Sequence, residues 1–245
     1  MTSQAPGSPS QTSDLTADIS QLVNRAVTSK AKSYDYPWLQ RGYMMQFLEI
    51  ERATAETVRR CTGGSLKDRK VLDIGCGAGG WIREFVKWGS RPEDIYGIDA
   101  MASRIVAARE GNAPGVNFIR GNAEKLEFPD ASFDLIMLYQ SMTLMLEDAP
   151  RRRVAAEALR VLKPGGAILW YDYRYQRPDM KGVLRSTGKR EIKNLFPGCE
   201  YHLKSLHPFP PVSRRLAKIW MPAWYLLSII SPLRTCYAGA IVKPR

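Results

Sequence analysis

Asp73, Asp99, Asn122 and Glu124 stand at or just beyond the ends of short apolar runs, where a polar side chain can hold a ligand rather than fill a core. The first belongs to a glycine cluster, VLDIGCGAGGW, over Val71–Trp81. Gly75, Gly77, Gly79 and Gly80 allow a tight turn and let a ligand lie directly on the backbone. A helix starting near Trp81 aims free N–H groups at that ligand. Gly75, Gly77 and Gly80 satisfy the G-x-G-x-x-G spacing of dinucleotide sites. Asp73 argues for a different ligand, because a carboxylate at that range repels a pyrophosphate and suits a cation or an amine. The chemistry implied is the binding of a nucleoside-containing group that carries positive charge.

Length and composition bound the elements that position these residues. A chain of 245 residues is long enough for one large domain with a proper core. Hydrophobic content of 44% and charged content of 24% are ordinary for a globular protein. The net charge of +12 raises nucleic acid, anionic lipid and acidic polysaccharide as partners. The densest basic run is Arg151–Arg153 and the rest is scattered, so no nucleic-acid stripe is expected. Cys61, Cys76, Cys199 and Cys236 are far apart with no zinc spacing, so no metal is expected. With no signal peptide, they read as reduced thiols of a cytoplasmic protein. No apolar run reaches the ~20 residues that span a bilayer.

Residues 1–13 are uncharged Ser, Thr, Gln and Pro, and read as a disordered tail. Residues 14–62 read as an N-terminal helical cap. After Asp14, a plausible N-cap, Leu15, Ile19, Leu22, Val23, Ala26 and Val27 recur at helical spacing. That helix is packed on the core, a lid, or an exchanged arm of a homo-oligomer. Tyr34, Tyr36 and Trp38 form an aromatic wall or a core patch. A second helix runs from about Leu39 to Arg60 and stops at Gly63 and Gly64. From Lys70 strands and helices alternate: strands at 71–74, 94–99, 116–120, 133–139 and 167–173, helices at 80–88, 102–110 and 149–162. Lys163–Gly166 reads as a tight turn. This alternation implies an α/β fold with a mostly parallel sheet and helices on both faces. Residues 63–245 are taken as one domain, with a short helix at 188–195, a strand at 200–206 and a last strand at 236–243. Ile219–Leu233, broken by Pro222 and Pro232, is an apolar lid, a dimer face or a peripheral membrane contact.

In an open α/β sheet, ligands bind beyond the C-terminal ends of the strands near the topological switch point. Four strand ends carry suitable residues. The first delivers Asp73 and the glycine loop. The second ends in Asp99, which can accept both hydroxyls of a ribose. After the third come Gly121, Asn122, Ala123 and Glu124, which can pair with an adenine edge. The fourth ends in Tyr139, Gln140 and Ser141, at the bottom of the cleft.

In this order the segments VLDIGCGAGGW, IYGID, GNAEKLEFPDASFDLIML and EALRVLKPGGAILW resemble the successive motifs of class I S-adenosylmethionine-dependent methyltransferases, over about residues 65–175. The resemblance implies a Rossmann-like seven-stranded sheet with an antiparallel last strand. It implies S-adenosylmethionine over the glycine loop. Carried onto this chain, the loop from Asp73 through Gly75, Cys76 and Gly77 to Gly79 holds the methionine part. Asp99 binds the ribose hydroxyls, and Ala100 and Met101 lie on the adenine. Asn122 and Ala123 sit at the adenine edge, with Glu124 as a substitute where many members have Asp in place of Asn122. The flanking segments EIERATAETVRR, LWYDYRYQRPD, EIKNLFPG and LRTCYAGAI are similar to methyltransferases from clusters for cell-surface polysaccharides and natural products, which usually carry His where Cys236 stands.

The expected reaction is transfer of the sulfonium methyl to a small-molecule acceptor, foremost a hydroxyl of a sugar or secondary metabolite, with C- or N-methylation as alternatives. In-line displacement needs the acceptor atom about 3 Å from the methyl carbon, so positioning supplies much of the rate. A hydroxyl also benefits from a general base. Of the two histidines, His207 follows the sixth strand and either faces the cleft as that base or packs as an ordinary histidine. Asp172 and Arg174, past the fifth strand, are the other polar candidates. Tyr139 and Gln140 border the transferred methyl, and the acceptor pocket draws on residues 14–45 and 174–235. The rivals are a nicotinamide-dependent oxidoreductase, a nucleic-acid methyltransferase and a non-catalytic binding protein.

Overall fold

The Val-, Ile- and Leu-rich runs between the helical stretches pair into one seven-stranded sheet in the computed structural model of the chain. The structure describes residues 41–176, 181–208, 220, 222, 226, 230 and 233–245. The tail, the amphipathic stretch after Asp14, Tyr34, Tyr36, Trp38 and most of Ile219–Leu233 lie outside the described residues.

The strands are β1 (Val71–Ile74), β2 (Ile95–Asp99), β3 (Asn117–Arg120), β4 (Phe133–Tyr139), β5 (Leu162–Tyr173), β6 (Glu200–Pro208) and β7 (Arg234–Val242). Their order across the sheet is β3-β2-β1-β4-β5-β7-β6. The first five are parallel, and β7 runs antiparallel to both β5 and β6. This is the expected Rossmann-like sheet. The order reverses between β1 and β4, which leaves a crevice above their C-terminal ends, the usual ligand position in such sheets.

The helices are α1 (Arg41–Thr62), α2 (Gly80–Lys87), α3 (Ala102–Glu110), α4 (Asp148–Val161) and α5 (Lys189–Leu195). The strand period of two sorts the side chains into two layers. Leu72, Ile74, Ile136, Leu138, Ile168 and Trp170 face α4 and α5, with Val154, Ala158 and Phe196 packed on them. Val71, Leu135, Met137 and Leu169 face the other way, toward Ile82 and Phe85 of α2 and Ile105 of α3. Ile50 and Ala53 of α1 continue that second layer over Tyr171, Leu206 and Ala238. Burial on both faces explains why β1 and β4 read as nearly all-apolar runs, interrupted by Asp73 and Asp134.

Several boundaries differ from the sequence reading. Pro92–Asp94 forms a 3₁₀ turn, so β2 starts at Ile95. Helix α4 ends at Val161, and Leu162 already pairs with Phe133. The expected turn at Lys163–Gly166 is a bulge within β5, after which Ala167 pairs with Leu135. It is stitched to the end of β7, because the Gly165 N–H donates to the Lys243 carbonyl and the Lys243 N–H to that of Gly166. Strand β6 extends to Pro208 and takes in His207, which the sequence placed in a loop. Of the basic run Arg151–Arg153, only the last two side chains are exposed. Arg151 is fully buried, Arg153 is bonded to Glu124, and Arg152 lies 4.0 Å from Asp148.

Candidate functional site

The loop after β1 is folded by its own backbone. The N–H groups of Gly75 and Cys76 both donate to the Ile98 carbonyl of β2, at 2.8 and 3.0 Å. Gly75, Gly77 and Gly79 all have positive φ, the left-handed conformation that favours glycine. At Gly75 a Cβ would stand 2.9 Å from Ser141 Oγ, so the close approach of the β1 and β4 ends requires glycine there. At Gly77 a Cβ would meet nothing within 4 Å, so this part of the loop borders open space.

Asp99 locks the loop from the next strand. Its Oδ2 accepts the Gly77 N–H at 3.0 Å and its Oδ1 accepts the Met101 N–H at 2.9 Å. Arg104 lies 3.6 Å from Oδ2. Asp73 is buried on the same side of the sheet as Met137, and burial first, then the Asp99 charge, raises its carboxyl to about 7. Two buried carboxylates beside a single guanidinium make a site that favours a cation. The cradle and this charge therefore fit S-adenosylmethionine. Cys76 differs from the expectation. Its side chain is buried in the core beside Gly97, burial pushes its thiol far up, and its N–H is taken by Ile98.

At the adenine end, Ala100 and Met101 are half-buried at the start of α3. Asn122 is exposed, and its Oδ1 accepts the Glu124 N–H at 2.9 Å in an Asx turn, which leaves its amide group as the donor toward a ligand. Ala123 packs on the core beside it. Glu124 is tied to α4, with Arg153 Nε at 2.5 Å from its carboxylate, so it is no ready substitute for Asn122.

The floor of the cleft is aromatic. Trp81 stands edge-on to Tyr139 at 5.1 Å between centroids and stacks on Phe47 of α1 at 6.0 Å. The Tyr139 hydroxyl shares a 2.8 Å hydrogen bond with Thr54 Oγ1, also on α1, and burial raises its pKa far above the usual value. Gln140 has a φ of 57°, uncommon outside glycine. It is held there by its N–H bond to the Tyr171 carbonyl at 2.7 Å and by the Ser141 hydroxyl, which donates to the Ile74 carbonyl.

His207 and Asp172 separate. His207 is 1% exposed on the α1 face of the sheet. Its Nε2 shares a 2.8 Å hydrogen bond with Tyr171 Oη. The Glu49 carboxylate accepts its N–H at 3.2 Å and lies 3.8 Å from Nδ1. Burial raises the Glu49 carboxyl, opposed chiefly by that N–H. Tyr171 rests on Tyr139 at 5.7 Å, so aromatic contacts link His207 to the cleft floor. Asp172 alternates to the opposite face. There it is 1% exposed, accepts the Tyr173 N–H at 2.7 Å, and is raised by burial to about 7 against the pull of that bond and of Arg151. It is not a cleft residue. Arg174, past the end of β5, lies with its guanidinium over the rings of Tyr175 and Tyr237, at 4.4 and 4.9 Å.

Sequence reasoning missed Phe47, Glu49, Thr54 and Tyr171. The first three recur at helical spacing in FLEIERAT with Ile50 and Ala53, so a helix face mixing core and polar groups was the available signal.

Residues 71–166 match the family described as a methyltransferase domain. Among curated proteins, the chain is 33% identical over 142 residues to a phthiotriol/phenolphthiotriol dimycocerosates methyltransferase of Mycobacterium ulcerans, covering 55% of this chain and 51% of that protein. It is 30% identical over 178 residues to a fatty-acid O-methyltransferase of Mycolicibacterium smegmatis, covering 67% of this chain and 63% of that protein. It thus spans between about half and just under two thirds of these relatives' length. A crystal structure of an S-adenosylmethionine-dependent methyltransferase from Mesorhizobium loti shares the fold, with a TM-score of 0.57 at 18% identity, covering 78% of this chain and 98% of that one. Over residues 71–166 the chain thus matches a methyltransferase domain, and it shares the fold of S-adenosylmethionine-dependent methyltransferases of known structure.

Proposed function

We propose that this chain transfers the methyl group of S-adenosylmethionine to an oxygen of a small, largely apolar acceptor. The observation that carries the reading is the meeting of Asp73, the Gly75–Gly79 loop and Asp99 in one crevice floored by Trp81 and Tyr139. When bound, the cofactor supplies a methyl group activated by the sulfonium.

The chain's residues do the rest. Asp99, already oriented by two N–H groups, holds the ribose hydroxyls through its remaining lone pairs. Asp73 offsets positive charge, and Met101 and Ala123 cover the adenine. Trp81, Phe47 and Tyr139 present a rigid wall that excludes water and orients the acceptor. A hydroxyl acceptor loses its proton toward Tyr171 Oη and His207 Nε2, with Glu49 steadying the imidazolium.

Two observations support a lipid-like acceptor over a sugar. One of the curated relatives above is named for a fatty acid and for O-methylation. Among the described residues around Tyr139, the wall is aromatic, with the Thr54 hydroxyl as its polar contact. The test is incubation of the full chain with methyl-labelled S-adenosylmethionine and, in parallel, fatty acids, hydroxylated lipids and sugar nucleotides. Label in the lipid product supports the proposal, and label only in the sugar fraction overturns its acceptor class.

A further inference from the structure

We propose that the acceptor of the reaction proposed above is a neutral hydroxyl rather than a carboxylate, selected by Tyr139 and Thr54 acting as a pair. Two hydroxyl protons and three oxygens decide it. Thr54 on α1 is 2% exposed, and its Oγ1 lies 2.9 Å from the Ile50 carbonyl and 2.8 Å from the Tyr139 hydroxyl. A carbonyl only accepts, so one arrangement alone makes both contacts hydrogen bonds. Thr54 gives its proton to Ile50, and Tyr139 gives its own to Thr54. The reverse, with Thr54 donating to Tyr139, leaves the Tyr139 proton unpaired on a half-buried residue. Burial first, and the Asp73 charge with it, raise the Tyr139 hydroxyl and keep it protonated. Among the described residues, Thr54 is the one hydrogen-bond partner of that hydroxyl. Tyr139 Oη therefore offers a ligand lone pairs and no proton.

An alcohol has a proton to give to those lone pairs. A fatty acid is ionised at pH 7 and has none. The donors around Tyr139 are mostly spent. The Gln140 N–H goes to the Tyr171 carbonyl, the Ser141 hydroxyl to Ile74, and the Gly77 N–H to Asp99. The Trp81 indole and the Gln140 carboxamide remain as neutral donors. Charge points the same way. The rings against Tyr139 are Trp81 and Tyr171, both neutral. Asp73, in register with Met137, lies on the same side of the sheet, and Glu49 reaches that side from α1. The described cations nearby are engaged: Arg104 lies 3.6 Å from Asp99, Lys204 bonds Glu56, and Arg234 donates to the Ser205 carbonyl. A carboxylate seated on Tyr139 would lose its hydration with no ion pair to replace it. Tyr139 is thus a binding residue for the acceptor, and proton removal stays with Tyr171 and His207.

The test is calorimetric titration of the full chain, loaded with S-adenosylhomocysteine at pH 8, with 1-octanol and with octanoate. The two probes share an eight-carbon chain and differ in the head. Octanol is expected to bind about tenfold tighter or more. The variants isolate the pair from plain hydrophobicity. Thr54→Val frees the Tyr139 proton, so octanoate should gain about tenfold and narrow the ratio, while Thr54→Ser keeps the bond and the ratio. Thermal melts of both variants check that the fold is retained. Three results overturn the proposal: octanoate binding as tightly as octanol, a ratio unmoved by Thr54→Val, or binding of neither probe. Failure of the chain to bind S-adenosylhomocysteine would instead strike the proposed function, and the same titrations on the ligand-free chain would still decide the head-group preference.

Discussion

Asp99 shapes the loop and, in the proposed complex, holds the ligand with the same carboxylate. Its removal frees the Gly77 and Met101 N–H groups and takes away two charge-assisted bonds to a ribose. Asp99→Ala is expected to weaken S-adenosylmethionine binding about 100-fold or more, measured by titration calorimetry. Gly75→Ala places a methyl group 2.9 Å from Ser141 Oγ in a left-handed residue, and should lower stability by about 1–3 kcal/mol in chemical denaturation. Asp73 gives the site a pH dependence. Its carboxyl sits at about 7, so a cationic ligand must displace its proton at pH 6 and meets a carboxylate at pH 8. Affinity for S-adenosylmethionine should therefore rise about tenfold between those pH values. Arg104, 3.6 Å from Asp99, offsets only part of the negative charge of the two carboxylates, and a flat profile would remove Asp73 from the site. Asp73 and Asp99 were legible in the sequence because a strand end fixes where a side chain lands. The contact of Tyr171 with His207 was not, because it depends on how far β6 runs before it turns and on which helix covers it.

At the scale of elements, a buried guanidinium on α4 ties together the turn after β4, the segment after β5 and α5. Arg151 donates to the carbonyls of Met142 and Met145, bonds Thr187 Oγ1, and lies 3.1 Å from Glu191, which also pairs with Arg185. Arg151→Leu strips these acceptors while leaving them buried, and is expected to cost about 2–4 kcal/mol in denaturant unfolding. Asp172 beside it adds a pH term. Its folded carboxyl lies at about 7 against an ordinary 3.8, so its contribution is complete below about pH 4 and is lost as pH rises through 7. Asp73 acts in the same direction in the ligand-free protein. A thermal melt of the ligand-free chain should show stability falling from pH 5 to 8, and Asp172→Asn should flatten part of that fall. The strands and helices between Val71 and Val161 were readable because both sheet faces are buried and the helices carry a single apolar stripe. The bulge at Lys163–Gly166 was not, since Pro164 and two glycines signal a turn equally well in and out of a sheet.

For the whole molecule, the sheet order reverses between β1 and β4, and the candidate site residues collect at that edge from β1, β2, β4 and the loop after β3. The sequence of motifs made this architecture legible, because each motif ends a strand on the same edge. The acceptor side was less legible. In the proposed reading it draws on α1 and β6, where single residues such as Thr54 and Glu49 acquire a role only from what packs beside them. Among the described residues, no helix is long and apolar enough to cross a membrane. The central claim is that the site takes an adenosyl cofactor rather than a dinucleotide. Its most direct test is thermal unfolding of the full chain with saturating S-adenosylhomocysteine and, separately, with NADH. Binding at 100 times Kd adds about 2.7 kcal/mol of stability, so the melting temperature should rise with S-adenosylhomocysteine and stay unchanged with NADH. A rise with NADH and none with S-adenosylhomocysteine would contradict it.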